Sequence, residues 1–335
     1  MKHFIKLFSL LAILAMLSGC SLKDAASGFF PSDKAPANPS AETTEAPVNE
    51  TQPIVMKTVY GITGARYEYD GSGYDYRTTY DEAGVHFLAE DRANAEDLHY
   101  DWNGNLIRND SYTEEGELNY FVVYVYDEAG RKLSWTQTWP DGKSVGEVFT
   151  YNEQGQLILD ESIRRDGERG SYTEYYYDDA GRVSSSRFYD YMGEFASADY
   201  YTYNDAGQLI KQETVNEEGH GFSSGGYFTY SYDSLGRLTQ KIWTDASPSS
   251  TRGEFYYTYD NQGRLAAYEK WTFGSIDEDV HYIYDDQGYF IGSNDPAEGS
   301  VITYYYGQIT LPQPLADTVA LWSKDGVLVE SVIVP

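Results

Sequence analysis

Tyr177-Asp178-Asp179-Ala180-Gly181-Arg182-Val183 reads as a turn between two strands, and the chain is built by repeating it. An Asp in the second position can cap the turn backbone with its side chain. Two permissive residues follow, and Gly181 supplies the left-handed conformation that closes a type I turn with a bulge. The same frame stands at Tyr100-Asp-Trp-Asn-Gly-Asn-Leu106, Tyr126-Asp-Glu-Ala-Gly-Arg131, Tyr151-Asn-Glu-Gln-Gly-Gln-Leu157 and Tyr203-Asn-Asp-Ala-Gly-Gln-Leu209. It returns at Tyr232-Asp-Ser-Leu-Gly-Arg-Leu238, Tyr259-Asp-Asn-Gln-Gly-Arg-Leu265 and Tyr284-Asp-Asp-Gln-Gly-Tyr-Phe290. The spacings are 26, 25, 26, 26, 29, 27 and 25 residues, so one unit recurs at a nearly fixed period. Tyr80-Asp-Glu-Ala-Gly84 is a divergent earlier copy.

Residues ahead of each turn alternate. Tyr124/Tyr126, Phe149/Tyr151, Tyr175/Tyr177, Tyr201/Tyr203, Tyr230/Tyr232, Tyr257/Tyr259 and Tyr282/Tyr284 lie two apart, which projects each pair from one face of a strand. Weaker turns at Glu114-Glu-Gly116, Pro140-Asp-Gly142, Arg165-Asp-Gly167, Tyr191-Met-Gly193 and Glu217-Glu-Gly219 return the chain for the next copy. Each period is therefore two strands and two turns, and no helical period is evident after residue 57. The fold class is all-β: a repetitive antiparallel β-hairpin ribbon, curled or spiralled. About sixteen strands at roughly 4.8 Å each would make a flat sheet on the order of 75 Å wide, and a sheet that wide curls. Curling the aromatic face inward buries it.

These Tyr-Asp-x-x-Gly-x-Leu units resemble the YD repeats of the RHS repeat family, bacterial surface and secreted proteins, over roughly residues 66–306. The resemblance implies a long antiparallel ribbon that spirals. Large members wrap a hollow shell around a toxin and end in a self-cleaving core followed by a toxin domain. Here residues 307–335 alone follow the repeats, and Asn294-Asp295-Pro296 reads as a loop.

Ahead of the repeats the chain changes character. A basic start (Lys2, Lys6), an apolar run from Leu7 to Leu17 and small residues before Cys20 read as a secretory signal, too short to span a membrane. Leu17-Ser18-Gly19-Cys20 resembles the lipobox of bacterial lipoproteins, which implies cleavage before Cys20 and acylation of that residue. Acyl chains would anchor the protein to a bilayer without a transmembrane helix. Pro31, Pro36, Pro39, Pro47 and Pro53, among Ala, Ser, Thr and Glu, then mark an extended stalk. All 34 tyrosines lie between Tyr60 and Tyr306, which sets the boundary. The expected organisation is a signal peptide over 1–19, a lipidated Cys20 and tether over 20–56, a repeat β-domain over 57–306 and a C-terminal β cap over 307–335.

Composition removes whole classes of function. Of 335 residues, 53 are acidic and 24 basic, a net charge of −29. Without Lys2 and Lys6 the 22 remaining basic residues give −31, and no basic run exceeds Arg164-Arg165, so nucleic acid is excluded as a partner. Aromatic content of 16% argues against disorder. A single Cys excludes an intramolecular disulfide framework and Cys-rich zinc sites. His86, His99, His220 and His281 fall in different repeats without metal-ligand spacing, so neither a metal nor a cofactor is expected. No Gly-x-Ser-x-Gly elbow or phosphate-cradling glycine loop occurs. Asp101, Asp127, Asp178, Asp233, Asp260 and Asp285 share the turn position, where capping accounts for them. Acidic turns could bind calcium, but no Asp-x-Asp-x-Asp loop supports it.

Aromatics off the tyrosine register are the candidate ligand-binding residues: Trp135, Trp139, Tyr176, Tyr200, Tyr227, Trp243, Tyr256, Trp271 and Tyr305. Flat rings among acidic and hydroxyl neighbours suit sugar faces or a protein partner. The sequence therefore reads as an extracytoplasmic lipoprotein, a non-enzymatic surface scaffold or binding module for adhesion, with a cell-wall or host glycan or a protein as ligand. Two rivals stand beside it: an accessory or truncated shell of an RHS-type toxin or secretion system, and an extracytoplasmic glycan hydrolase, which needs two carboxylates about 5 to 10 Å apart.

Overall fold

The computed structural model describes residues 55–69, 71–81, 83–90, 95–217, 225–246 and 251–325, with side chains to 320. Cys20, the signal segment, the tether to residue 54 and His220 lie outside the described residues. Four strands open the domain: β1 (Met56–Tyr69), β2 (Ser72–Asp81), β3 (Gly84–Ala89) and β4 (Glu96–Tyr100). Then come β5 (Leu106–Tyr112), β6 (Leu118–Tyr126), β7 (Lys132–Thr138), β8 (Ser144–Tyr151), β9 (Leu157–Ile163), β10 (Arg169–Tyr177), β11 (Val183–Tyr189) and β12 (Phe195–Tyr203). The last eight are β13 (Leu209–Asn216), β14 (Gly226–Tyr232), β15 (Leu238–Asp245), β16 (Thr251–Tyr259), β17 (Leu265–Thr272), β18 (Ser275–Tyr284), β19 (Phe290–Asp295) and β20 (Ser300–Pro312).

Each strand pairs antiparallel with the next, and β20 pairs with β1, so the ribbon closes into one twenty-stranded barrel. The eight copies of the turn account for sixteen of these strands, β4 to β19. Closure adds β20, β1 and the hairpin of the divergent copy, β2 and β3. Every repeated turn is followed by a one-residue bulge: Tyr176 opposes Ser185 while Tyr177 opposes Val183, leaving Ser184 extra. The same slip recurs in the neighbouring repeats at Tyr151, Tyr203 and Tyr232. A bulge reverses which side chains face inward along the rest of the strand.

The tyrosine register faces the interior. Tyr230, Tyr257, Tyr282 and Tyr304 are buried, while Tyr176, Tyr200 and Tyr305 on the opposite face are exposed. Burial is uneven around the ring. On the arc from β19 through β5, Phe87, Leu98, Tyr100 and Ile62 are 2% exposed or less. From β6 to β12 most inward side chains, Tyr124, Tyr151, Tyr177 and Tyr203 among them, are half-buried. A ring of this strand number encloses more space than its own side chains fill. The dense arc packs part of that space, and the other arc leaves a partly open wall.

Outward positions at mid-strand include Glu174, Arg187, Lys211, Glu213, Glu254 and Glu269. At a bilayer midplane, a lysine or arginine on the lipid face costs about 2–4 kcal/mol. The outer wall is therefore a water-facing surface.

The expected β cap is corrected after Pro312. Strand β20 ends there, and Gln313–Asp325 forms a helix, α1. Pro314 suits a helix start, and Leu315, Ala316, Val319 and Ala320 fall on one stripe. Ala316 and Val319 are buried with Val59 and Leu311 in the same apolar cluster as Tyr100. Gly61 is what allows the approach, because a Cβ there would stand 2.8 Å from Val319 Cγ1. Lys57 pairs with Asp317 across this contact.

Candidate functional site

The repeated turn builds the barrel wall from its rim inward. Asp178 accepts hydrogen bonds from the backbone N–H groups of Ala180 and Arg182, both at 2.9 Å, and Gly181 holds φ at 78°. Arg182 Nε returns to the same carboxylate at 2.8 Å, and these bonds hold the Asp178 carboxyl below its ordinary range. Asp127/Arg131, Asp233/Arg237 and Asp260/Arg264 repeat the pairing. Each guanidinium then stacks on the rim tyrosine one repeat further along: Arg131 on Tyr151, Arg237 on Tyr259, Arg264 on Tyr284.

Two copies use a neutral version. Asn152 and Asn204 replace Asp, and Gln156 and Gln208 replace Arg. Asn152 Nδ2 donates to Gln156 Oε1 at 2.7 Å. The glutamines donate onward to the Gly181 and Gly236 carbonyls at 3.1 and 3.0 Å. Both versions tie one turn to the next repeat.

The rim tyrosines lace the repeats together a second time. Tyr177 donates its hydroxyl to the Leu157 carbonyl at 2.6 Å, Tyr203 to Val183 at 2.8 Å, Tyr232 to Leu209 at 2.8 Å and Tyr259 to Leu238 at 2.9 Å. Tyr126, Tyr151, Tyr284 and Tyr306 do the same.

Further along the strands the inner wall turns polar. On β7 to β9, Trp135 Nε1 donates to Glu147 at 2.6 Å, and Lys132 stands 5.5 Å from the Tyr124 ring centre. Burial lowers the Lys132 pKa, with Glu147 and Asp160 opposing. Burial, then Glu147 and Glu161, push Asp160 up to about 7 against the pull of Lys132. Glu147 and Asp160 thus form an acid pair on neighbouring strands. Asp160 is only 6% exposed, however, whereas hydrolysis of a glycoside needs both carboxylates open to one sugar. On β14 to β16 the wall carries Phe228, Lys241, Trp243 and Phe255, with Phe228 and Trp243 ring centres 4.6 Å apart.

The candidate aromatics divide into three sets. Trp135 and Trp243 read from the sequence as off the tyrosine register, but the structure puts both on the inner wall, opposite Tyr124 and Phe228. The bulge after each turn is the reason: simple alternation from Lys132 or Leu238 turns these rings outward, and the extra residue turns them in. Tyr176, Tyr200, Tyr227, Tyr256, Trp271 and Tyr305 do face outward. Tyr176, Tyr200 and Tyr227 fall on one register line, with Ser185 and Glu213 between them. Arg187 and Lys211 cover the rings of Tyr176 and Tyr227, and Trp271 Nε1 donates to Glu269. Trp139 belongs to neither wall. It sits in a turn at the opposite rim, under Arg165.

One cluster had no sequence signal. His86 and His99 are direct cross-strand partners with their Nδ1 atoms 2.7 Å apart, on the outer face. His86 Nε2 meets Asp81 at 2.9 Å, and His99 Nε2 lies 3.5 Å from Asp110, which Arg108 also holds. Thirteen positions apart in sequence, the two histidines are joined only by strand pairing. Among the described residues no group of three or more His, Cys, Asp or Glu side chains is placed to hold a metal ion.

The Teneurin YD-shell family profile matches residues 126–321, more than half of the chain. No curated protein matches. Among solved structures, TcdB2-TccC3-TEV aligns with a TM-score of 0.26 and 17% identity, over 68% of this chain and 14% of that one. A porin-like protein from Bacteroides uniformis aligns with a TM-score of 0.36 and 12% identity, over 73% of this chain and 98% of that one.

Proposed function

Because the chain belongs to the Teneurin YD-shell family, we propose that it is a non-enzymatic shell, held at an extracytoplasmic membrane surface by lipid on Cys20, that binds a glycan or protein ligand. The observation that carries this reading is the closed ring with an aromatic and polar inner wall that is half-buried over β6 to β12. Half-buried rings beside fixed polar groups are the composition of a ligand surface. Acylated Cys20 supplies the anchor, and the stretch from Ser21 to Pro53 holds the barrel away from the bilayer. The test has two arms. Cys20→Ala should release the protein from the membrane fraction or leave an unprocessed precursor, and unchanged retention would sink the anchor. The mature protein in detergent micelles should retain a ligand from a glycan and cell-wall screen, and an empty screen would sink the glycan arm.

Family membership also favours a second reading, an accessory or truncated shell of an RHS-type toxin system. Such a shell would protect a toxin polypeptide from added protease, and that assay separates the two.

A further inference from the structure

Lys241 is a cation on an aromatic floor. Its Nζ stands 4.2 Å from the Phe228 ring centre, 5.5 Å from Phe255 and 5.7 Å from Tyr230. Register puts all four residues on the inner wall: Tyr230 opposes Lys241, Lys241 opposes Phe255, and Phe228 opposes Trp243. The other two inner-wall lysines of the repeats have acidic side chains acting on them. Lys270 pairs with Glu278 at 2.9 Å, and Lys132 feels Glu147 and Asp160. Burial lowers the Lys241 pKa, and among the described residues no carboxylate forms a salt bridge with it.

This is an unusual place for an uncompensated ammonium. The chain carries 53 acidic residues, yet among the described residues none forms a salt bridge with this one. Ring faces attract a cation but leave its hydrogen-bond donors unused. Partial burial raises the value of any anion that reaches it, because water screens the pair less. Lys241, Phe228, Trp243 and Phe255 all keep partial exposure, whereas Tyr230 and Tyr257 beside them are buried. The strands also make room for Trp243. Gly226 and Gly253 flank it, and a Cβ on Gly226 would stand 2.7 Å from the indole.

We propose that Lys241, Phe228, Trp243 and Phe255 form a subsite on the inner wall for a carboxylate-bearing sugar. The carboxylate takes the Lys241 ammonium, and the apolar face of the sugar ring lies on the aromatic rings. The net negative charge of the shell works against anions in general, so recognition here is local and specific. This subsite rests on the glycan reading of the binding wall.

The test titrates the full mature protein in detergent micelles with a short oligogalacturonate and, separately, with its fully methyl-esterified form. The free acid should bind at least fivefold more tightly, and the difference should shrink as salt rises. Lys241→Gln should erase the difference, Lys241→Arg should restore most of it, and Trp243→Ala should weaken both forms. Equal binding of acid and ester, or an acid preference that survives Lys241→Gln, overturns the subsite while leaving glycan binding in place. Binding of neither form overturns the subsite, and if neutral glycans fail as well the glycan reading falls with it. Matching melting curves for Lys241→Gln and the parent keep loss of binding distinct from loss of fold.

Discussion

The guanidinium of Arg182 stands 4.5 Å over the ring of Tyr203, whose hydroxyl donates to the carbonyl of Val183, the residue after that arginine. One turn therefore grips the next repeat by a side chain and is gripped back through its backbone. The pairs Asn152/Gln156 and Asn204/Gln208 do the same work without charge. Exchanging both partners together, Asp178→Asn with Arg182→Gln, should keep most of the stability. Asp178→Asn or Arg182→Gln alone should lower the denaturation midpoint more than the double exchange does. Urea melts of the three variants check this, and additive losses would contradict the coupling.

The uneven burial around the ring predicts uneven mutational costs. Tyr304→Ala, on the packed arc, should cost about 3–5 kcal/mol, as for other large buried aromatics. Tyr177→Ala, on the half-open arc, should cost less than about 2 kcal/mol, since it loses one hydroxyl bond and partial burial. Equal costs would mean that the interior is packed all the way round.

Gly84 holds φ at 141°, and a Cβ there would overlap the carbonyl oxygen of Tyr100. Gly130 has nothing within 4 Å of its missing Cβ. Gly84→Ala should therefore cost more than about 3 kcal/mol, and Gly130→Ala only the strain of a left-handed residue, about 1 kcal/mol. Chemical denaturation of the two variants decides it.

Asp160 gives the barrel a base-sensitive side. Its carboxyl, raised to about 7, keeps a proton that an unfolded aspartate loses near about 3.9. Its contribution is fully present below that lower value and is lost as pH rises through about 7, because the unfolded state binds fewer protons over that window. Asp160→Asn should melt at a higher temperature than the parent at pH 8, with the gap narrowing towards pH 4.5. A constant gap would contradict the assignment.

The histidine pair acts in the other direction. Nδ1 atoms 2.7 Å apart can share one proton but cannot each carry one, and burial and then His86 hold His99 below its ordinary range. Its contribution is present above about 6.5 and is lost as pH falls through and below that value. His99→Gln should flatten the loss of melting temperature between pH 7 and 5. Unchanged acid sensitivity would show that other groups cause it.

Much of this architecture is legible in the sequence because the turn chemistry is local. Asp178, Gly181 and the Tyr175/Tyr177 pair specify a hairpin and its buried face within a few residues, and the period multiplies that statement along the chain. Three features escape for the same physical reason, that they depend on offset or on distant pairing. The bulge at Ser184 and its equivalents shifts parity by one, which is why Trp135 and Trp243 face inward. His86 and His99 meet only because β3 and β4 pair. The stripe of Leu315, Ala316, Val319 and Ala320 is too short to outweigh a repeat that reads as strand, and it is helical because Val59, Gly61 and Leu311 offer it a surface.

Closure through β1 and β20 also orders events in time. Thr58 and Thr310, 2.9 Å apart in the finished ring, are separated by 252 positions of chain. Every other seam joins strands adjacent in sequence, so those hairpins can zip as the polypeptide emerges, while the last seam waits for the final strand. Until then β1 and the newest strand are bare edges, open to the wrong neighbour. A nascent chain of this kind has a long vulnerable interval that ends in a single step, and release of residues 300–312 is the event that ends it.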